Sequence, residues 1–579
     1  MEIVYPDREG SAPHRDHQPG LAEQILELLA AHGVTRCFGL PGVHNLPLWR
    51  PSPGAPRIVA VRHEQTAVYA ADGTWRAGLG PGVALLTSGP GAANGVAAFG
   101  EAAAAGSGVV VIASEAPLSS RGRPRLARIA GGLLHETTDQ AAMFASLGVA
   151  HSVTAADQVL PLLTEALNRA AGRLGATGPT YVGIPSDLLA GPAVTGPAVA
   201  APADTAQPWS SQLRAALEPL RECAHVVVWA GGGVAATNTE PLLAALVDGL
   251  GALLLTSFAG RGLLAEHPGT LHAPVHEPAI AQLLADAHGL LVIGSGFDAM
   301  NTRGWTTVLP PTVVVLDIDA EQVARNLPGA RAVTLDLTSV GADLEPAKAL
   351  IAEVLGPRAP VGPEQVDDAW RTQARATVAA VRSSVATDRR TSAAATLVAA
   401  VEQGWPADAT LVLDMCVAGY WLAGYGRQPR PRRMAYPVGW GTLGFGFPAG
   451  IGAAAHGHPT LVVCGDGGIA MGLGELGTLV QERLPLTVLV VDDAGYGMLR
   501  YDQQVEGAPE LGVDLLAPRW HLLASAYGLG FAEVDSPEHL ADALADAHTD
   551  NLNSRPVLMV LTERLMPPRT TSPRWFEPS

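Results

Sequence analysis

Two aspartates carry the first chemistry in this 579-residue sequence. The stretch Cys464–Arg500 reads CGDGGIAMGLGELGTLVQERLPLTVLVVDDAGYGMLR. An apolar run, Thr460–Val463, ends in Gly465-Asp466-Gly467-Gly468. A helical stretch follows, and then a second apolar run, Leu486–Val491, ends in Asp492-Asp493-Ala494-Gly495-Tyr496. This is the pattern of a β-α-β unit. In a parallel sheet the carboxyl ends of both strands share one edge, so Asp466 and Asp493 can meet around one cation. Hard oxygen ligands beside a glycine turn suit Mg2+ holding a diphosphate, because Mg2+ takes one or two carboxylates and leaves its other positions to phosphate and water. Asp492 reads as a turn or cap residue.

A second set of candidates lies near the amino terminus, in VRHEQTAVYAADGTWRAGLGPGVALLTSGPGAANG (Val61–Gly95). Glu64 falls where a helix begins after the apolar run IVAV. Alone it reads equally well as a helix N-terminal acid favoured by the macrodipole. TSGPGAAN (Thr87–Asn94) is a glycine turn whose backbone, at Gly89, can approach a ligand with no Cβ between. GLPGVHNLPLW (Gly39–Trp49) is a similar strand-end loop and presents His44, while GGLLHETTDQAAMF (Gly131–Phe144) presents His135. A histidine can take or give a proton near neutral pH. Either could instead be a loop residue or a neutral hydrogen-bonding wall.

The GDG turn, the 24 residues from it to the DD pair and the glycine that follows resemble the thiamine-diphosphate signature of the acetolactate synthase and pyruvate decarboxylase family. The second position of that pair is usually Asn in the family. The resemblance runs from about residue 20 to 565. It implies that Asp466, Asp493 and the carbonyl of Gly495 hold Mg2+ against thiamine diphosphate, with Gly465, Gly467, Gly468 and Tyr496 around the diphosphate. RHE resembles the family's activating glutamate motif: Glu64 would drive the aminopyrimidine ring to its imino form, which removes the C2 proton to give an ylid. TSGPGAAN would lie against substrate and thiazolium, and His44 near the reaction centre. His135 takes the place of glutamine in a segment resembling FQE. YPVGWGTLGFGFPAGIGAA (Tyr436–Ala454) resembles GxMGFxLPAAIGA, so Gly441 would offer its carbonyl to the pyrimidine amino group and Leu443 would wedge under the thiazolium.

The same resemblance implies three doubly wound parallel-sheet α/β domains, pyrimidine-binding, central and diphosphate-binding. It also implies a homodimer or homotetramer in which Glu64 of one chain meets Asp466 and Asp493 of another. The expected function is a thiamine-diphosphate- and Mg2+-dependent enzyme acting on a 2-oxo acid by decarboxylation or carboligation through an ylid and an enamine. A lyase acting on a 2-hydroxy ketone and a non-catalytic cofactor-binding subunit are the alternatives. Two departures count against acetolactate formation. GSGFDAMNTRGW has Ala299 and Met300 where those synthases carry the Asp and Arg of FDDR, and Tyr501-Asp502 replaces their tryptophan. Arg500 is a candidate for a substrate carboxylate. FAD remains a lesser alternative, supported only by LDID (Leu316–Asp319), which otherwise reads as the end of a strand.

The elements that must position these groups fall into three blocks. After an arm (1–20), residues 21–188 alternate helical stretches with the strand-like runs CFGL, IVAV, VALLT, VVVIA and YVGI. A linker rich in Pro, Ala and Gly (189–208) leads to a central block, 209–345, with HVVVWAGGG, ALLLTSF, GLLVIGSG and TVVVLDID. A second connection (346–384) precedes the third block, 385–565, with TLVLD, LVVCGDGG, LTVLVVDD and PVLMVL, and a tail (566–579). AGGG at 230–233 is not a dinucleotide fingerprint.

Composition excludes several classes. Net charge of −18 argues against nucleic acid, which needs a basic surface. Lys348 is the only lysine and lies in a polar helical segment, so neither a P-loop nor a pyridoxal Schiff base has a candidate. No apolar run reaches the roughly 18–20 residues of a membrane span. The first twenty residues lack a signal-peptide core, which gives a cytoplasmic expectation. Cys37, Cys223, Cys416 and Cys464 are scattered and read as buried thiols.

Overall fold

The structure, a computed structural model, describes residues 20–50, 52–120, 133–194, 209–341, 343–356 and 369–568. The expected arm, most of the first linker and most of the tail lie outside these residues.

Continuous runs of Val, Ile and Leu build three parallel sheets, each with helices on both faces. The first holds β1 (Arg36–Gly39), β2 (Arg57–Ala60), β3 (Gly82–Leu86), β4 (Val109–Glu115), β5 (Val149–Ser152) and β6 (Thr180–Pro185), in the order β2-β1-β3-β4-β6-β5. The central sheet holds β7 (Val226–Ala230), β8 (Leu253–Thr256), β9 (Gly289–Ile293), β10 (Thr312–Asp317) and β11 (Arg331–Thr334), in the order β11-β10-β9-β7-β8. The third holds β12 (Thr410–Leu413), β13 (Met434–Ala435), β14 (Thr460–Gly465), β15 (Leu486–Asp492), β16 (Gly530–Val534) and β17 (Val557–Thr562), in the order β13-β12-β14-β15-β17-β16. Its arrangement repeats that of the first sheet strand for strand, although the two sequences show no repeat. The central strands β4 and β15 are buried along their whole length, as the middle of a parallel sheet requires.

Strand order reverses between β1 and β3 in the first sheet and between β12 and β14 in the third. At such a reversal the loops leaving two adjacent strands run to opposite faces and open a crevice at the carboxyl edge. Both crevices are used below.

The first and third domains share one core. Helices Glu64–Arg76 and Gly446–Ala454 pack between their sheets, with Tyr69 edge-on to Phe445 at 5.5 Å. Close approach rests on glycine. A Cβ on Gly73 would lie 2.0 Å from the carbonyl oxygen of Ala449, and one on Gly452 would lie 2.0 Å from that of Ala70. Buried Arg76 closes the junction: it pairs with Asp72 at 2.8 Å and Glu101 at 3.0 Å, and donates to Tyr436 O at 2.8 Å.

The stretch 346–384, expected as a connection, carries two helices instead. Glu345–Leu355 buries Leu350, Ile351 and Val354 in the central core, and Ala369–Thr387 buries Ala374 and Val378 against the same domain. The first contains the helical segment of Lys348; the apolar spacing of the second is diluted by Ala, Arg and Ser. Among the described residues no helix is long and apolar enough to cross a membrane.

Because the nearest atoms to an added Cβ on Gly73 are backbone atoms of Ala449, Gly73→Ala must push two helices apart. It should cost about 2–4 kcal/mol, read by urea denaturation. Gly178→Ala, with nothing within 4 Å of its added Cβ, should change stability by less than about 1 kcal/mol.

Candidate functional site

The crevice of the third sheet is a cavity of about 270 Å3 at the carboxyl ends of β12, β14 and β15. Gly465, Gly467 and Gly468 line it from the loop after β14, and Asp493, Gly495 and Tyr496 from the loop after β15. Gly441 and Leu443 come from the turn before helix Gly446–Ala454, and Met415, Cys416 and Tyr420 close it from β12. The glycines are needed for space. A Cβ on Gly467 would lie 2.5 Å from the Tyr496 ring, and one on Gly497 would lie 2.1 Å from Asp493 Oδ2.

Register places the acids side by side, since Gly465 pairs with Val491 and the next residues are Asp466 and Asp492. Asp466 is buried, and among the described residues neither of its carboxylate oxygens has a hydrogen-bond partner. Burial, then the charges of Asp492 and Asp493, push its carboxyl up to about 6. Burial also raises Asp493, and Arg500 pulls it back. Asp492 holds the turn itself, accepting from Ala494 N at 3.0 Å and from Trp520 Nε1 at 2.6 Å. Arg500, expected to face a substrate carboxylate, is buried instead and donates to Ala494 O and Asp514 Oδ1, both at 3.0 Å.

Unpartnered carboxylate oxygens beside a second carboxylate, in a glycine-walled crevice, fit a hard divalent cation with a diphosphate. Among the described residues no three His, Cys, Asp or Glu side chains gather as a metal site. A cation here would therefore draw on Asp466, Asp493, a backbone carbonyl, phosphate and water.

The second crevice, between β1 and β3, gathers the amino-terminal candidates. Glu64 opens helix Glu64–Arg76, is buried, and accepts from Asn94 Nδ2 at 3.0 Å. Gly91 lies so close that a Cβ would sit 3.0 Å from Glu64 Oε1. Gly89 has φ +64° and donates its N–H to Gln140 Oε1 at 2.7 Å; a Cβ there would lie 2.5 Å from the carbonyl oxygen of His135. His44 shares a hydrogen bond with Ser88 Oγ, and its ring meets that of His135 edge to face at 5.6 Å. Burial, then the neighbouring His135, lowers the pKa of His44. None of these residues lines the 270 Å3 cavity, whose walls all come from residues 415–565. The two crevices thus have separate linings within one chain.

Three supporting residues escaped the sequence reading. Asp414, at the end of β12, is fully buried and pushed up to about 6 chiefly by burial; its Oδ1 accepts from Met415 N at 2.7 Å and Gly444 N at 2.9 Å, fixing the turn that carries Leu443. Glu101 reaches the same turn across the domain junction, accepting from Thr442 Oγ1 at 2.9 Å. Gln140 also donates to Ser114 O at 2.9 Å, and so ties the Gly89 turn to β4. An acid ending the apolar run TLVLD was a visible signal for Asp414; the other two had none.

Comparison with known proteins agrees with this arrangement. Residues 20–143, 213–344 and 414–561 match, in that order, the N-terminal TPP binding domain, the central domain and the C-terminal TPP binding domain of thiamine pyrophosphate enzymes. The chain is 34% identical over 520 residues to a probable 2-ketoarginine decarboxylase of Pseudomonas aeruginosa, covering 87% of this chain and 88% of that protein. It is 28% identical over 574 residues to the acetolactate synthase isozyme 3 large subunit of Escherichia coli, covering 93% and 94%. A solved thiamine diphosphate-dependent 4-hydroxybenzoylformate decarboxylase of Rhodococcus jostii RHA1 has the same fold, with TM-score 0.74 at 22% identity over 95% of this chain and 100% of that one.

Crowding at Asp466 has a thermodynamic signature. In metal-free protein at mildly alkaline pH, Asp466→Asn should add about 1 kcal/mol of stability, a few degrees in calorimetry. The gain should shrink as pH falls through about 6, because a carboxyl whose folded pKa is raised disfavours the fold only while ionised. An unchanged or lower melting temperature would count against an uncompensated carboxylate.

Proposed function

Because the chain belongs to the thiamine pyrophosphate enzyme family, we propose that Asp466, Asp493 and the Gly495 carbonyl hold Mg2+ on the cofactor's diphosphate, while Glu64 of a second copy serves its pyrimidine end. The protein is a thiamine-diphosphate-dependent enzyme of the decarboxylase and carboligase kind. Its substrate is a 2-oxo acid: the bond between carboxylate and carbonyl carbon breaks, carbon dioxide leaves, and a proton or a second carbonyl carbon takes up the electron pair. The bound cofactor supplies the electron sink that holds this pair in between. The observation that carries the proposal is Asp466, set between the cavity-lining Gly465 and Gly467: its two buried carboxylate oxygens have no hydrogen-bond partner among the described residues, and the charge of cavity-lining Asp493 reaches it.

Each residue then has a task. Glu64 would hold the proton that serves the cofactor's pyrimidine end, and the backbone carbonyl of Gly441 would accept a hydrogen bond there. Leu443, held by the turn that Asp414 anchors, supports the thiazolium. Gly89 brings the backbone close to the substrate. His44 and His135, edge to face, exchange protons with the substrate at its carbonyl oxygen and at the carbon that loses carbon dioxide.

Decarboxylation is favoured over acetolactate formation. Ala299 opens the short helix Ala299–Thr302 and Met300 packs on the third domain's core, so neither offers a charge to a second carboxylate. Intact Glu64, Asp466 and Asp493 argue against a non-catalytic subunit. FAD would have to use a separate crevice of about 370 Å3, lined by Gly232, Gly233 and Asp317 of the central domain; the proposed chemistry does not need it.

The separation of the half-sites supports an assembly of at least two copies. Apolar side chains stand exposed beside both: Val43 and Leu134 flank the histidines, and Trp440, Met471 and Leu499 flank the diphosphate crevice.

Two measurements test this. Glu64→Gln should fold normally, with turnover of a panel of 2-oxo acids, followed as released carbon dioxide, reduced by about 100-fold or more; near-wild-type turnover removes Glu64 from the mechanism. Mixing inactive Glu64→Gln and Asp466→Asn proteins under conditions of subunit exchange should restore about a quarter of wild-type activity, because half the dimers are mixed and each of these carries one unaltered site. No recovery, with exchange verified, would place both halves of the site in one chain.

A further inference from the structure

We propose that Arg500 is a positioning residue: it is the fixed counter-charge that holds Asp493 and the loop behind it ready for the cation. This rests on the assignment of Asp466 and Asp493 to Mg2+.

Three carboxylates, Asp466, Asp492 and Asp493, converge at the ends of β14 and β15. The donors on Asp492, an indole and a backbone amide, are neutral and leave its charge in place. A divalent ion balances two of the three, before any diphosphate is added. Arg500 is placed to meet the surplus. It lies on the first turn of helix Gly497–Glu506, and its side chain is only 4% exposed. Its Nη1 lies 3.3 Å from Asp493 O and 3.5 Å from Asp493 Oδ2, and its Nη2 lies 3.0 Å from Ala494 O. One guanidinium therefore grips the Asp493 side chain and the two carbonyls just ahead of Gly495.

A second observation points the same way. Gly495 is not in the left-handed region, yet an added Cβ would lie 2.2 Å from Arg500 Nη2 and 2.2 Å from Val513 O. The guanidinium occupies the space a side chain would need. The far wall is fixed by Tyr496 N to Val513 O at 2.8 Å and Leu515 N to Ala494 O at 3.0 Å. The other acids on Arg500 are more open: Asp514 at 3.0 Å and Glu510 at 3.8 Å, with side chains 74% and 39% exposed. Arg564, whose charge also reaches Asp493, is exposed. A buried, planar, permanently charged fork is suited to hold one carboxylate and two carbonyls at once.

Calorimetric titration of Mg2+ and thiamine diphosphate into the full-length protein tests the proposal. Arg500→Met should weaken cofactor binding by about tenfold or more. Asp493→Asn, which removes the surplus charge and keeps a side-chain oxygen, should weaken it less. In the Asp493→Asn background, Arg500→Met should cost no more than about threefold further. Asp514→Asn should bind as wild type. Should Arg500→Met fail to fold by circular dichroism, Arg500→Lys, which keeps the charge and loses the fork, replaces it, with its loss again confined to the Asp493 background. Equal losses in both backgrounds, or no loss in either, would overturn the pairing. A wild-type protein that takes up no thiamine diphosphate would instead sink the cofactor assignment, a separate result.

Discussion

Like charges drawn together at the edge of the third sheet set the terms for the rest of the molecule. Asp466, Asp492 and Asp493 sit where two parallel strands end side by side, in a place that water barely reaches. Such a cluster is unfavourable unless each member has an answer. Asp492 has Trp520 and a backbone amide, Asp493 has Arg500, and Asp466 has no hydrogen-bond partner among the described residues. That residual deficit is what the proposed divalent cation would meet. The surrounding glycines keep the crevice open and let the loops pass close enough for the acids to meet.

In the proposed reading the opposite end of the cofactor would need an acid in an equally well-held place, and the fold offers one by using one topology twice. Both outer sheets reverse their strand order at the same point, and each reversal opens one crevice. Glu64 sits in one and the carboxylate cluster beside the other. The helix that Glu64 opens is the one locked against Gly446–Ala454 through Gly73 and Gly452, so the two crevices are fixed relative to each other within a chain.

Much of this was legible because fully buried parallel strands leave continuous apolar runs, and because GDG, the DD pair and RHE stand directly at strand ends. The strands that went unseen are β5, β11, β13 and β16, which lie at sheet edges, are short or mixed in character, and carry residues such as His151, Arg331 and Glu533. The helical pattern around Lys348 is visible in the sequence, whereas that of Ala369–Thr387 is hidden by diluted spacing. Arg500 was misjudged for a different reason: position next to a site says nothing about which way a long side chain turns, and this one turns back into its own loop. Glu101 and Gln140 carry no mark in the sequence, because a buried polar residue that holds a turn looks there like any other, whereas Asp414 stands at a strand end as Asp466 does.

Hydrophobic contacts divide the chain unevenly. One contiguous core runs from Phe38 through Phe445 to Val560 and belongs to the first and third domains jointly, while the central sheet is enclosed by two clusters drawn from residues 213–378 alone. The middle segment thus keeps an interior of its own and meets the third domain through side chains including Phe258, Arg261 and Met300, whereas the two outer segments have to be inherited together to keep the interior they share.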